Sequence, residues 1–295
     1  MGEMTTVFSE VPPRVTEWQR FRRVFFSRGV VVFGLVVLVS FLLAALFAEW
    51  LAPYNPYRQE MGSALQPISG QHLLGTDQFG RDTLSRLIYG SRTALMVGFI
   101  SVFLAAFMGI TLGVIAGYFG KTTGLIIMRF IDTMMPFPLI LLALLIAALL
   151  GGGMKNLIVA LAIATIPPYA RIMNGETLSI KENDYILALR SMGSGHARII
   201  FNHILPNAFP AIMVLMTLQL GQLILTEASL SFLGIGIEPP HAAWGSMVND
   251  GYRFMVTNPV LSITPGVCIM AVVFAFNMVG DGLTDALNPR LRGIL

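Results

Sequence analysis

Residues 183–206 read NDYILALRSMGSGHARIIFNHILP and lie between hydrophobic runs; no other sizeable stretch in the second half of the chain alternates polar and apolar side chains. Asn183 or Asp184 can cap a helix, and Gly193 follows where a left-handed residue would end it. Ser194 can cap a second helix, which continues until the final Leu-Pro pair breaks the pattern. The stretch therefore predicts two helices that meet at a glycine corner outside the hydrophobic runs.

The composition is typical of a membrane protein. Hydrophobic residues make up 55% of the 295 residues, charged residues make up only 12%, and the mean hydropathy is +0.73. Soluble domains carry about a quarter charged residues. The net charge of +3 is small and the basic residues are spread along the chain, which does not suggest a nucleic-acid groove. We expect an all-α integral membrane protein in contact with the lipid bilayer.

Six apolar runs are long enough to cross a bilayer, which takes about 20 residues per helix. They cover residues 30–48, 94–119, 125–150, 157–172, 209–233 and 260–279. The predicted organisation is a basic, aromatic and amphipathic segment (1–28), a first span (29–51), an external segment (52–93), a core with five spans and a polar loop at about 174–206 (94–282), and a tail (283–295).

Prolines and capping residues predict where helices stop and start. Pro136 and Pro138 break the third run, and the pair at 167–168 ends the fourth. Asp82 or Thr83 could start a short helix in the external segment. That segment is too poor in apolar residues to bury a core of its own, so we expect it to pack on the spans.

The basic residues predict the orientation of the chain. Six spans place both termini on one side, and with the N-terminus inside, 13 of the 19 Lys and Arg residues lie inside. Positive charge accumulates on the cytoplasmic side of membrane proteins. Both termini and the loop at about 174–206 are therefore predicted to be cytoplasmic.

Two patterns predict helix contacts. Gly109, Gly113 and Gly117 recur every fourth residue, which strips one face of a span of side chains and lets another helix approach. Arg129 and Asp132 lie three residues apart near the cytoplasmic edge. We expect a structural ion pair there rather than a proton relay.

Two residues near the outer membrane surface are candidates for a gate or a substrate path. Glu227 lies near the outer end of the fifth run, and an ionisable group there is either a proton or substrate site or a capped or paired gate residue. Trp244 could touch a substrate, but interfacial tryptophans are commonly membrane anchors. We expect an anchor, or a helix that packs across the outer mouth.

No catalytic or metal site is predicted. The four histidines lack metal-ligand spacing, and the single cysteine, Cys268, lies in an apolar run. Gly120-Lys121-Thr122 imitates the end of a Walker A loop, but Ile115 stands where its first glycine is needed. We therefore expect no cofactor on this chain.

Four long stretches carry a family resemblance from residue 74 onward. They are LGTDQFGRDTLSRLIYG (74–90), MRFIDTMMPFP (128–138), EASLSFLGIGIEPP with WGSM (227–247) and FNMVGDGLTDALNPRL (276–291). With these motifs in this order, the chain resembles the second permease subunit of the dipeptide and oligopeptide ABC importer family. The resemblance implies a type I ABC importer permease fold in the inner membrane of a prokaryotic cell.

The loop at 183–206 is similar to the signature loop of these permeases, which forms the coupling helix that docks into an ATPase subunit. Aligned on Gly193, the sequence has Leu187-Ala188-Leu189 where the family has Glu-Ala-Ala, and His203 where it has Ile. A third departure is Asn288 in place of Asp. The resemblance assigns ATPase docking to Asp184, Tyr185, Leu187, Ala188, Leu189, Met192 and Gly193.

The resemblance also implies the function and the partners. The chain would form half of a translocation path for di- and oligopeptides, together with a homologous permease, two cytoplasmic ATPases that hold ATP and magnesium, and an extracytoplasmic substrate-binding protein. Importers of nickel, glutathione or antimicrobial peptides share the motifs. An ion-coupled secondary transporter is the rival from another class, and it would need intramembrane charges beyond Glu227.

Overall fold

The computed structural model describes residues 16–287, and within that range the regular structure is helical. The predictions for Arg14 in the N-terminal segment, and for Asn288 and the rest of the tail, lie outside the described residues. Five helices are long and apolar enough to cross a membrane, and the number is six when a bent pair of helices is counted as one span. This agrees with the six predicted spans.

The N-terminal helices are α1 (Glu17–Ser27), α2 (Gly29–Leu46) and the short α3 (Ala48–Leu51). Thr16 begins α1 with a capping box, in which its hydroxyl accepts a hydrogen bond from the backbone N–H of Gln19. α2 carries no charged residue and forms the first span.

Helix α4 (Thr83–Phe119) has 37 residues and is the central element of the fold. A carboxylate oxygen of Asp82 accepts the backbone N–H of Ser85 at 2.8 Å and begins the helix. The predicted short external helix is wrong in its length. Because no proline follows, the external helix continues without a break into the second span.

A sharp bend divides the third run. α5 (Lys121–Met134) and α6 (Leu139–Leu150) meet at an angle of 93°. The predicted break at Pro136 and Pro138 is confirmed, since both prolines lie in the bend.

The fourth span consists of α7 (Met154–Ala164) and α8 (Ile166–Lys181), which together are long and apolar enough to cross the membrane. The predicted end at residues 167–168 is wrong. These prolines lie in the first turn of α8, where a missing backbone N–H removes no hydrogen bond. They start the second half of the span instead of ending it.

The C-terminal half contains α9 (Asp184–Ser191), α10 (His196–Ile199), α11 (Leu205–Phe232), α12 (Trp244–Tyr252) and α13 (Val260–Leu287). A π-helical turn over residues 200–204 joins α10 to α11, so residues 196–232 form one continuous helical segment. The predicted break at the Leu-Pro pair 205–206 is therefore wrong. A π turn shifts the hydrogen-bond register just before the proline and allows the helix to continue through it.

The glycine stripe of α4 packs against α8, as predicted. A Cβ atom on Gly109 would lie 2.5 Å from the Cβ of Tyr169, and one on Gly113 would lie 2.5 Å from the carbonyl oxygen of Ala170. A Cβ atom on Gly117 would lie 2.7 Å from the Cβ of Thr177. These distances leave no room for a side chain, so the predicted helix contact is confirmed.

Candidate functional site

The predicted glycine corner is present between α9 and α10. Gly193 adopts a left-handed conformation with φ of +84°. Its backbone N–H donates to the carbonyl of Arg190 at 2.9 Å, and the N–H of Ser194 donates to the carbonyl of Leu189 at 3.0 Å. This pair of bonds is the Schellman motif, which ends a helix sharply. The second helix is capped by Gly195, so the prediction that Ser194 caps it is wrong.

One face of α9 anchors the corner to the rest of the protein. Ile186 is fully buried, and Leu189, one turn later, packs partly buried against the same cluster. Ile199 and Ile204, from the other side of the corner, complete this cluster. Ile186 is not among the residues predicted from the sequence, and the family resemblance assigned Leu189 to ATPase docking. That assignment of Leu189 is corrected, since side chains three apart on a helix share one face.

The opposite face of α9 is exposed. Met192 is 74% exposed, and Tyr185, Leu187 and Ala188 are exposed beside it. At 100° per residue, Ala188 and Met192 point away from Ile186, and Tyr185 and Leu187 lie on either side of it. We call Tyr185, Leu187, Ala188 and Met192 the docking face; Asp184 and Gly193 are also exposed. An exposed apolar patch on a polar loop is typical of an interaction surface.

The ion pair at the cytoplasmic edge differs from the prediction. Asp132 of α5 pairs with Arg171 of α8, and the predicted pairing with Arg129 is wrong. The bend after α5 lays this helix beside α8, which brings a guanidinium from another helix to the carboxylate. The side chains of Arg171 and Asp132 are 52% and 40% exposed, so the pair is worth about 0–1 kcal/mol.

Trp244 is buried at the outer end of the spans. Its side chain is 1% exposed, and its indole Nε1 donates to the carbonyl oxygen of Leu87 in α4 at 2.9 Å. Its indole ring packs edge-on against the ring of Phe41 in α2, with the ring centroids 5.5 Å apart. The expectation of a membrane anchor is therefore wrong. Trp244 is a packing residue that fastens α12 to α4 and α2.

Glu227 lies fully enclosed near the outer end of α11, with 1% exposure. The hydroxyl of Ser231 donates to its Oε1 at 2.8 Å, and the N–H of Ile237 in turn donates to that hydroxyl at 3.2 Å. The carboxylate thus holds the loop that follows α11. Of the two interpretations left open by the sequence, this geometry favours the capped residue over a substrate site.

A buried charge cluster, missed by the sequence reasoning, joins the external segment to α12. The carboxylate of Asp77 accepts Arg81 Nε at 2.6 Å and lies 3.5 Å from Arg86 Nε, while Asp250 of α12 lies 3.8 Å from Arg81. We call these four residues the outer clamp. Burial raises the pKa of Asp250, and the two arginines oppose that shift. The charged residues in TDQFGRDTLSR (76–86) indicated such a cluster, but the spacing of the sequence could not identify their distant partner Asp250.

Within residues 16–287, no group of three His, Cys, Asp or Glu side chains is placed to hold a metal ion. The arrangement consists of a docking face and a corner at one end of the helices and a charged clamp at the other. The corner and the clamp each hold several helices together.

The family described as "Binding-protein-dependent transport system inner membrane component" matches residues 109–293. A second match, to the N-terminal transmembrane domain of oligopeptide transport permease C, covers residues 16–67. Together these matches take in most of the spans described above.

Curated relatives match along nearly the whole chain. The dipeptide transport system permease protein of Alkalihalophilus pseudofirmus is 40% identical over 94% of this chain and 91% of its own length. The glutathione transport system permease protein of Pectobacterium atrosepticum is 41% identical, over 94% of this chain and 92% of its own.

Solved structures support the fold. An inward-facing structure of the MetNI methionine ABC transporter matches with a TM-score of 0.57 at 22% identity, over 70% of this chain and 97% of that chain. An amino acid ABC transporter with histidines matches with a TM-score of 0.52 at 19% identity, over 67% of this chain and 92% of that chain. The chain belongs to the binding-protein-dependent transport system inner membrane component family, the multi-pass permease subunits of ABC importers.

Proposed function

We propose that this chain pairs with a homologous permease to form the membrane path of an importer for di- and oligopeptides. The observation that carries the proposal is 40% identity, over 94% of the chain, to a dipeptide transport permease. Glutathione import is the second candidate, because a glutathione permease is equally similar. Both ligands are short and peptide-like, so one wide path could pass either. Import of nickel or of antimicrobial peptides is supported only by the shared sequence motifs.

ATP hydrolysis takes place on two separate cytoplasmic ATPases, which hold the ATP and magnesium. The docking face supports this division of labour, since Leu187 and Met192 are exposed apolar side chains on an otherwise polar loop. Burying such side chains in a partner's groove stabilises a complex through the apolar area removed from water. An extracytoplasmic binding protein delivers the substrate to the opposite end of the spans.

The fold supports a mechanical role in transport. Movement of a docked ATPase reaches the corner, and the corner continues through the π turn into the span α11. Ile186 is buried behind the docking face, so the corner moves with the helices under it. Rigid-body motion of packed helices is a common way to open a site alternately to two sides.

Reconstitution of the complete importer in vesicles tests the proposal. The sister permease, the ATPases and the binding protein are purified with this chain, and uptake of a labelled dipeptide is compared with that of labelled glutathione. We expect ATP-dependent uptake of the dipeptide, whereas ATP-dependent uptake of glutathione alone would favour the second candidate. Uptake that needs an ion gradient and persists without ATP would contradict the importer function.

A further inference from the structure

Tyr118, near the cytoplasmic end of α4, contacts both helices that meet at the glycine corner. Its hydroxyl oxygen lies 2.9 Å from Nδ1 of His196 in α10, within hydrogen-bond distance. The guanidinium carbon of Arg190 in α9 lies 5.1 Å above its ring, in cation–π geometry. The side chains of Arg190 and His196 flank Gly193, so one tyrosine supports both sides of the corner.

The position of Tyr118 is fixed by its own helix. Tyr118 is 6% exposed, and the preceding Gly117 lies directly against Thr177 of α8. The Nζ of Lys181 donates to the carbonyl oxygen of Gly117 at 2.9 Å. The end of α4 is therefore held on the end of α8, and Tyr118 extends from this joint to the corner.

The other end of α4 is held just as firmly. Arg86 belongs to the outer clamp, and the carbonyl oxygen of Leu87 accepts the indole N–H of Trp244. With 37 residues at 1.5 Å each, α4 is about 55 Å long and connects the corner to the outer end of the spans. No proline interrupts it.

We propose that Tyr118 is a positioning residue for coupling, which transmits movement of the docking corner into α4 and so to the outer clamp. This route acts beside the direct continuation of the corner into α11, and the inference rests on the proposed ATPase docking. The contacts of Tyr118 with His196 and Arg190 suit the transmission of movement rather than the stability of the fold. His196 and Arg190 are otherwise exposed and contribute little to the core. Removing the hydrogen bond between Tyr118 and His196 should weaken the coupling of ATP hydrolysis to the membrane helices and leave the assembly intact.

Two single variants and their combination test this in the complete importer. Tyr118→Phe and His196→Phe each remove the hydrogen bond but keep an aromatic ring. Tyr252→Phe, on an exposed tyrosine at the external end of α12, is the matched control. We measure co-purification of the ATPases, basal ATP hydrolysis, and its stimulation by the loaded binding protein.

Each single variant should lower the stimulation about two- to tenfold, as expected for one hydrogen bond. Co-purification and basal hydrolysis should stay unchanged, and the double variant should be no worse than either single variant. Unchanged stimulation would overturn the inference, as would an equal loss of stimulation and co-purification, which would make the residue merely structural. Failure of the wild-type chain to retain ATPases would instead refute the proposed docking.

Discussion

Trp244 and Leu87 are 157 positions apart, yet the indole Nε1 of Trp244 donates a 2.9 Å hydrogen bond to the carbonyl oxygen of Leu87. This bond joins α12 to the outer part of α4, next to the outer clamp. The contact is close enough that a Cβ atom on Gly90 would lie 2.5 Å from the indole ring. The outer end of the protein is therefore a packed joint.

Trp244→Phe should destabilise this joint by about 1–3 kcal/mol, since it removes a hydrogen bond and leaves a small cavity. The measurement is the midpoint of thermal aggregation of the purified protein in detergent. Trp50→Phe is the matched control, because Trp50 is 83% exposed and should leave the midpoint unchanged. Equal midpoints for both variants would show that the Trp244 contact contributes nothing to stability.

Gly113→Ala should weaken the packing of α4 on α8 by about 1–3 kcal/mol, because the new methyl group would lie 2.5 Å from the carbonyl oxygen of Ala170. Gly175→Ala is the matched control. Gly175 lies on α8 with nothing within 4 Å of its Cβ position. The thermal midpoint should fall for Gly113→Ala and hold or rise for Gly175→Ala, and the reverse order would refute the packing.

A charge swap tests the corrected ion pair. Asp132→Arg places two cations together, so it should lower the thermal midpoint slightly, and adding Arg171→Asp should restore it. The effect should stay within about 1 kcal/mol, because both side chains are half exposed. Combining Asp132→Arg with Arg129→Asp is the control. If that combination restores stability and the Arg171 swap does not, the assignment of the pair is wrong.

Cysteine labelling tests the predicted orientation. In a variant with Cys268 replaced by alanine, a cysteine at Ser191 should react only with a reagent that reaches the cytoplasm, and one at Ser69 should react from outside. Both positions are exposed in this chain. Because Ser191 lies on the face of α9 that is proposed to dock the ATPases, the variants are expressed without the ATPases, so that accessibility depends on the side of the membrane alone. Labelling of both from the same side in intact cells would overturn the six-span topology.

Much of the fold could be predicted because the membrane imposes simple rules. Run length located the spans, the repeat of Gly109, Gly113 and Gly117 located a helix contact, and Gly193 located the corner. Pro136 and Pro138 break a helix as predicted, but Pro167, Pro168 and Pro206 do not. A proline is tolerated in a first turn or after a π turn, and only the surrounding packing decides which occurs.

The errors at the candidate site have one physical cause. Tyr118 with His196, Asp132 with Arg171 and Asp77 with Arg81 and Asp250 are contacts in which at least one partner comes from a distant part of the chain. Spacing along one helix cannot reveal such partners. The docking face was predicted only in part for the same reason, since the buried side of α9 packs against residues of α4, α8, α10 and α11.

The exposed face of α9 is the surface proposed to dock the ATPases. Leu189→Ala is a poor test, because Leu189 packs inward with Ile186. Leu187 is 46% exposed, and burying the exposed half of a leucine contributes about 1 kcal/mol, a factor of roughly five in affinity. Leu187→Asp should weaken docking further, because it puts an unpaired carboxylate into an apolar groove.

The most direct measurement is co-purification of the ATPases with Leu187→Asp, together with ATP hydrolysis stimulated by the loaded binding protein in vesicles. Val256→Asp, on a 98% exposed external residue, controls for the added charge. The proposed docking predicts loss of the ATPases and of stimulation for Leu187→Asp alone, with the sister permease still bound. ATPases and stimulation retained by Leu187→Asp at the level of Val256→Asp would contradict it.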